Sequence, residues 1–141
     1  MRYHLIVSHG SLASGMAEAL GMLVGQRDDV LQVSFRDGMA LPAFQEQVRQ
    51  VTAPITAEDE VLVIADLVNG SPLTTTMSVL SEGPGLRNVR AVGGMNLPMA
   101  VTAIEGEDDP LDETAEAMMA CAGEEVKRFQ TETGADSDDD I

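Results

Sequence analysis

The residues with the most chemistry in this sequence lie where apolar segments end. His9 follows the run "YHLIVS", and Asp66 stands near the end of "DEVLVIADL", shortly before Ser71 in "VNGSP". A neutral imidazole has one nitrogen free to act as a nucleophile when a carboxylate holds the other nitrogen. The N–H groups at the start of a helix bind anions. A histidine held by Asp66 and facing such amides could accept a phosphoryl group.

Other candidates lie in the loops around these residues. In a parallel sheet the loops that follow the strands gather at one edge, and sites form there. We expect the backbone of the small-residue loop after His9 and of the loop before Ser71 to approach an anion, and a third loop, "VGGMNLPM", to join them. The candidate phosphoryl-binding residues are Gly10, Ser11, Gly70 and Ser71, and the further loop residues are Asn69, Asn96 and Pro98.

Each of these features also has a purely structural interpretation. His9 could be an ordinary loop histidine, and Asp66 could cap a turn at the end of a strand. The residues around Ser71 could be no more than the start of a helix, and Gly93-Gly94 could mark a close approach of two backbones. The functional hypothesis therefore depends on the three loops meeting at one sheet edge.

Several other kinds of site find no support in the sequence. No "GxxxxGK[ST]" motif is present, and the only lysine, Lys127, is near the C-terminus, so binding of ATP is not expected. His4 lies one position into the first predicted strand, where we expect a structural role. No second histidine or cysteine completes a convincing metal set. We therefore predict neither a metal nor a cofactor.

The pattern of apolar residues predicts the elements that position the site. Strands alternate with helices four times, which is typical of an α/β domain with a parallel sheet. We predict one domain, residues 1–130, with a mainly parallel sheet of four strands in the order 2-1-3-4 and helices on both faces. Predicted helix caps are Ser14, Gly25 and Ser71. The predicted strands are 3–8, 30–35, 59–67 and 88–96, and helices follow each of them, the last starting near Asp109 and Pro110.

Composition limits the choice of partners. The net charge of −16 argues against nucleic acid and anionic membranes, both of which need a basic face. No apolar run approaches the length of a membrane span, and we expect a cytoplasmic protein.

Cys121 is predicted to be a buried, inert thiol. Residues 131–141, "TETGADSDDDI", are predicted to form an acidic, disordered tail.

Three segments carry a resemblance to a known family. "HLIVSHGSLASGMAEALGMLVG", "VLVIADLVNGSPLTTTMSVL" and "VRAVGGMNLPMAVTAI" resemble the IIA domain of the mannose class of the bacterial phosphoenolpyruvate-dependent sugar phosphotransferase system. The resemblance covers about residues 3 to 129. It implies that His9 is the phosphorylated histidine, that Asp66 orients it, and that the Ser71 hydroxyl lies near the phosphoryl group. It places Gly70, Asn96 and Pro98 in the remaining loops of the site.

The same resemblance implies partners. Such domains are phosphotransferases that take phosphate from the histidine phosphocarrier protein and pass it to a IIB component, which phosphorylates sugar entering through the membrane IIC and IID components. The IIB partner is expected to be a separate chain. Family members are homodimers that exchange a fifth, antiparallel strand. Here "RFQTETGADSDDDI" has almost no β-forming run, and the stretch near Phe129 is the candidate for that strand.

Two alternative functions stay open at this stage. The first is the phosphotransfer subunit of phosphoenolpyruvate-dependent dihydroxyacetone kinase, whose IIA-like domain also begins with a "VSH" loop. The second is a non-catalytic α/β module that senses a small anion at the same sheet edge. The segments "DLVNGSP" and "GGMNLP" favour the sugar-transport class.

Overall fold

A computed structural model describes residues 1–131 and arranges them around one parallel β-sheet. The spatial order of its strands is the predicted one, second, first, third and fourth, and all three pairings are parallel. Because the strands are parallel, their carboxyl ends lie at one edge of the sheet. The strands are β1 (Arg2–His9), β2 (Val30–Phe35), β3 (Glu60–Ala65) and β4 (Val89–Val92).

Helices cover both faces of the sheet, which confirms the predicted fold class. They are α1 (Leu12–Val24), α2 (Leu41–Thr52), α3 (Ser71–Glu82), α4 (Leu97–Glu105) and α5 (Leu111–Glu124). α1, α4 and α5 pack on one face, and α2 and α3 pack on the other. Along β1, Ile6 faces the first group of helices while Leu5 and Val7 face the second. Burial on both faces explains why the central strands are apolar at nearly every position.

The start of α1 differs from the prediction. The helix begins at Leu12 after Ser11, so Ser14 lies inside the helix instead of capping it. The hydroxyl of the fully buried Ser8 accepts a hydrogen bond from the N–H of Ala13 at 2.6 Å. A residue of β1 thereby satisfies an amide that the first helical turn leaves without a partner. Gly25 ends the helix as predicted.

The elements after β2 also differ at their ends. α3 begins one residue earlier than predicted, with Gly70 rather than Ser71 as its N-cap. β3 and β4 are shorter than the predicted segments 59–67 and 88–96, because the chain turns into loops directly after Ala65 and Val92. Cys121 is partly exposed, where the sequence predicted burial.

No fifth strand is formed in the part of the chain that the structure describes. Residues 126–131, which include Phe129, have no regular secondary structure and follow α5 as an exposed segment. The predicted acidic tail lies outside the described residues except for Thr131. Of the helices in residues 1–131, none has the length and apolar character to cross a bilayer.

Candidate functional site

His9 and Asp66 meet at the carboxyl edge of the sheet. His9 is the last residue of β1, and Asp66 directly follows the neighbouring strand β3. The ring Nδ1 of His9 lies 2.9 Å from Oδ2 of Asp66, and the backbone N–H of His9 donates to the same oxygen at 2.9 Å. An ionised carboxylate can only accept hydrogen bonds, so this contact assigns the ring proton to Nδ1. The lone pair is then on Nε2.

The surroundings of Asp66 keep it ionised. Partial burial raises the pKa of its carboxyl, but hydrogen bonds from the His9 backbone, the His9 ring and the N–H of Leu67 outweigh that effect and hold the pKa below its usual value. The bond from Leu67 measures 2.8 Å. The Asp66 side chain is 13% exposed and the His9 side chain 46% exposed. The site therefore combines a fixed negative charge with an imidazole that a large partner can reach.

Gly70 leaves room for the imidazole because it has no side chain. A Cβ atom at this position would lie 2.7 Å from Cε1 of His9 and 3.4 Å from Nε2. The backbone of Gly70 has φ −92° and ψ 160°, which any residue adopts. What requires glycine here is therefore the space taken by the ring, and the loop before α3 packs directly against His9.

The N-terminus of α3 adjoins the imidazole through this contact. Gly70 caps the helix without a side-chain hydrogen bond, and Pro72 in the first turn has no N–H to offer. Ser71 is the first helical residue and is exposed, and Asn69 is exposed in the preceding turn. The partial positive charge of a helix N-terminus favours an anion at this position.

Gly10 and Ser11 form the loop on the other side of His9. Gly10 has φ +59°, a left-handed conformation that favours glycine, and its N–H donates to the carbonyl of Phe35 at 2.8 Å. Ser11 is the exposed N-cap of α1. The Phe35 ring lies 6.5 Å from the His9 ring, centroid to centroid. The turn therefore binds the end of β1 to the end of β2.

The third loop, after β4, supports the loop that carries Asp66. The N–H of Gly94 donates to the carbonyl of Asp66 at 3.0 Å, and the N–H of Met95 donates to that of Ala65 at 3.1 Å. A Cβ atom on Gly93 would lie 2.3 Å from Cγ2 of Val68 and 3.0 Å from its backbone nitrogen. The three loops thus meet at one edge, as the functional hypothesis required.

Within this third loop, Asn96 and Pro98 stabilise the start of the helix that follows. Asn96 Oδ1 accepts from the N–H of Met99 at 3.0 Å, and its Nδ2 donates to the carbonyl of Ala122 at 3.1 Å. Pro98 lies in the first turn of α4. The amide of Asn96 therefore caps α4 and joins it to α5. A direct role of either residue at the phosphoryl group stays a prediction.

Sequence reasoning did not find Ser8, the N–H of Leu67 or Phe35. Ser8 had a signal, since a hydroxyl in an otherwise apolar buried strand needs a hydrogen-bond partner. The amide of Leu67 had none, because any residue type supplies a backbone N–H. In residues 1–131 no cluster of three or more histidine, cysteine, aspartate or glutamate side chains could hold a metal ion.

The sequence and the fold match known proteins. Residues 3–133 match the sequence model of the family EIIA-man, described as PTS system fructose IIA component. The chain is 27% identical over 100 residues to a PTS system fructose-specific EIIA component of Bacillus subtilis, which covers 71% of this chain and 66% of that protein. It is 25% identical to a PTS system mannose-specific EIIAB component of Escherichia coli, which covers 89% of this chain and 39% of that protein.

Solved structures agree with these matches. A mannose/sorbose specific IIA subunit of the phosphotransferase system from Enterococcus faecalis superimposes with a TM-score of 0.81 at 25% identity, covering 95% of this chain and 98% of that one. The phosphotransferase system component EIIA from Streptococcus agalactiae gives 0.78 at 21% identity, with 92% and 98% covered, and shows the shared fold. The chain spans less than two thirds of the length of the Bacillus subtilis and Escherichia coli proteins.

Proposed function

The chain belongs to the EIIA-man family, the PTS system fructose IIA component, and from this membership we propose that it carries a phosphoryl group on His9 within a sugar phosphotransferase system. The histidine phosphocarrier protein is the donor and a IIB component is the acceptor. The observation that carries the proposal is the 2.9 Å contact between Nδ1 of His9 and Asp66, which leaves Nε2 of a 46% exposed side chain as the nucleophile.

The chemical step follows from the tautomer. The lone pair of His9 Nε2 attacks the phosphorus of the donor's phosphohistidine, and a new P–N bond forms as the donor's P–N bond breaks. The donor imidazole leaves with the electron pair of that bond. The His9 ring now carries a proton on Nδ1 and the phosphoryl group on Nε2, so it is positively charged, and Asp66 stabilises that charge. Transfer to the acceptor reverses the same step, and the proton stays on Nδ1 throughout.

The surface around His9 favours a protein as the partner. Leu12, Leu67 and Val68 are 52%, 57% and 59% exposed, and they lie in the segments that follow β1 and β3. Apolar side chains in such positions are typical of an interaction surface. Small residues between them, such as Gly10 and Gly70, let a partner's phosphohistidine approach closely.

The experiment that tests the function is incubation with labelled phosphoenolpyruvate and the two general phosphotransfer proteins. We expect an acid-labile, base-stable phosphoryl group on the wild-type chain and no label on the folded His9→Ala variant, which keeps His4. Normal labelling of His9→Ala would refute the assignment. A labelled wild-type chain that passes phosphate to a dihydroxyacetone kinase subunit and not to a IIB component would support that alternative. A wild-type chain that takes no label would favour the anion-sensing module.

We also propose that the domain works as a homodimer in the cytoplasm and reaches the membrane IIC and IID components only through IIB. Family resemblance supports the dimer. Light scattering at micromolar concentration should give about twice the chain mass of 14.9 kDa. A monomer mass would contradict the dimer and leave the transfer reaction untouched.

A further inference from the structure

Arg36 lies beside His9 because of the strand order. β2 ends at Phe35, whose Cα is the register partner of the Cα of His9, and Arg36 is the next residue. Neighbouring strands lie about 4.8 Å apart. On its other side β1 pairs with β3, which leads to Asp66. Arg36, His9 and Asp66 therefore occupy neighbouring backbone positions at the ends of three adjacent strands.

The backbone of Arg36 is fixed while its side chain is free. The carbonyl of Arg36 accepts from the N–H of Met39 at 3.0 Å in the turn that follows β2. The residue is exposed, and its side chain forms no ion pair with any residue that the structure describes. It lines a groove of about 360 Å³ along β2 whose polar side chains are amides and a hydroxyl, without a carboxylate.

Several other arginines in the described residues pair with carboxylates. Arg27 bonds to Asp29 and Glu107, and Arg90 bonds to Asp112. In a chain of net charge −16, Arg36 is next to the candidate nucleophile and forms no ion pair with the described residues, Asp37 included, so it is available for an external anion.

We propose that Arg36 binds the oxygens of the phosphoryl group while that group is on Nε2 of His9, an inference that rests on the proposed function. The guanidinium is planar and matches the geometry of phosphoryl oxygens with two parallel N–H donors. Asp66 is itself an anion that accepts three hydrogen bonds from the protein, so it cannot neutralise the negative charge that the phosphoryl group brings, and a nearby cation can. Arg36 would supply that cation from the end of β2, on the other side of β1 from Asp66.

The test uses the phosphorylated chain without any partner protein. Phosphoramidate phosphorylates an exposed imidazole directly, with its P–N bond breaking and ammonia leaving. The ³¹P signal of phospho-His9 is followed against pH in the wild type, Arg36→Gln and Arg36→Lys, with Arg49→Gln as the control. Arg49 is an exposed arginine on α2 that pairs only with Glu46 in the described residues, at 3.5 Å.

Loss of a nearby cation favours the protonated form of phospho-His9, whether the proton is on Nδ1 or on the phosphoryl oxygens. We therefore expect Arg36→Gln to shift its titration midpoint upward by about half a pH unit, with a smaller shift in Arg36→Lys and none in Arg49→Gln. We expect transfer from the phosphocarrier protein to fall about tenfold in Arg36→Gln, a loss kept modest by solvent exposure.

Three other outcomes are distinguishable. An unchanged ³¹P titration with slower transfer would overturn the proposal and assign Arg36 to the partner interface. Phosphorylation by phosphoramidate without transfer from the phosphocarrier protein would refute the proposed donor, while the titration still decides the role of Arg36. A folded wild-type chain that neither donor phosphorylates on His9 would overturn both proposals.

Discussion

One oxygen of Asp66 binds His9 twice. Oδ2 lies 2.9 Å from the backbone nitrogen of His9 and 2.9 Å from its ring Nδ1, while Oδ1 accepts from the N–H of Leu67 at 2.8 Å. The first bond ties the end of β1 to the loop after β3, and the second sets the rotation and tautomer of the ring. Strand position and nucleophile orientation therefore depend on the same carboxylate.

Replacing Asp66 with asparagine should show how much of its effect on phosphoryl transfer comes from its negative charge and how much from the shape of its side chain. In Asp66→Asn one oxygen remains as an acceptor, but the amide group adds donors where His9 already donates, and the negative charge is gone. We expect the rate of phosphoryl transfer to fall by about ten- to a thousand-fold, less than the loss of about 10⁴ for the comparable carboxylate in the serine-protease triad, because the donor phosphohistidine is already reactive. The measurement is rapid-quench transfer from the labelled phosphocarrier protein.

The matched control for that variant is Asp37→Asn, since Asp37 is exposed in the turn after β2. It removes the same charge near the same edge of the sheet without touching His9. ¹⁵N NMR of the imidazole reports the tautomer in both variants. Equal transfer rates and an unchanged tautomer in Asp66→Asn would show that Asp66 only caps its loop.

A methyl group at Gly70 should disturb the nucleophile more than the fold. In Gly70→Ala the new carbon would lie 2.7 Å from Cε1 of His9, so the exposed ring has to move while the backbone keeps its conformation. We expect transfer to slow by about tenfold or more, since small displacements of reacting groups are costly. Gly123→Ala is the control, because a Cβ there meets nothing within 4 Å. Similar rates in both variants would contradict the contact.

The sequence allowed the fold and the central pair of the site to be predicted for a simple reason. The run "EVLVIA" is apolar at five successive positions, and buried parallel strands have that pattern. Once the strands are recognised, parallel topology brings their carboxyl ends together, and with them His9 and Asp66. Neither step depends on the detailed packing of side chains.

The remaining features of the site depend on distances between loops, which the sequence does not encode locally. Gly70 looked like part of a helix start, yet its main contact is with the His9 ring. Ser14 was a reasonable cap by residue type, but the hydroxyl of Ser8 reaches the first turn of α1 from β1. Asn96 was grouped with the site, and its amide instead joins α4 to α5.

Arg2 should contribute more to stability than an exposed arginine. It is buried at the start of β1, and its guanidinium donates to the carbonyls of Gly106 and Asp109 and to the hydroxyl of Thr114, besides pairing with Glu60. It thereby fastens the loop between α4 and α5 to the sheet. Arg2→Met keeps an apolar stem but removes the donor to the carbonyl of Asp109 and to the Thr114 hydroxyl, and leaves Gly106 with only its bond from Thr114, at a cost of about 2–4 kcal/mol.

Urea denaturation measures that loss as a change in the free energy of unfolding. Arg49→Met serves for comparison, because Arg49 is 46% exposed and its pair with Glu46 lies within one helix. We expect a change within about 0.5 kcal/mol there. Equal losses in the two variants would mean that the bonds of Arg2 add nothing beyond ordinary surface packing.

His4 should make the stability of the domain depend on pH between about 5.5 and 7. Its ring is fully buried, and neither ring nitrogen has a hydrogen-bond partner in the described residues. Burial lowers the pKa of His4, and the charges of Arg27 and Arg2 lower it further. The carboxylate of Asp29, 3.9 Å from Nδ1, and the backbone of Ala103 oppose this in part. Folded His4 therefore stays neutral at a pH where an unfolded histidine, with a pKa of about 6.5, takes up a proton.

The sign follows from proton linkage. Below about pH 6.5 the unfolded chain binds more protons at this position than the folded chain, so the free energy of unfolding falls as the pH falls toward the lowered pKa. The slope is at most about 1.4 kcal/mol per pH unit for one histidine. Because the chain has two histidines, the comparison is made in the His9→Gln background, where His4 is the only imidazole.

In that background we expect His4→Leu to flatten the stability profile between about pH 5.5 and 7 and to leave the domain at least as stable at pH 7, because an apolar side chain replaces two unpaired nitrogens. A second measurement is NMR of the His4 ring in the chain that keeps this histidine. The imidazole should stay neutral through the same pH range while the domain is folded. An identical pH slope with leucine at position 4, or a folded-state ring that titrates near pH 6.5, would contradict the assignment of this pH dependence to His4.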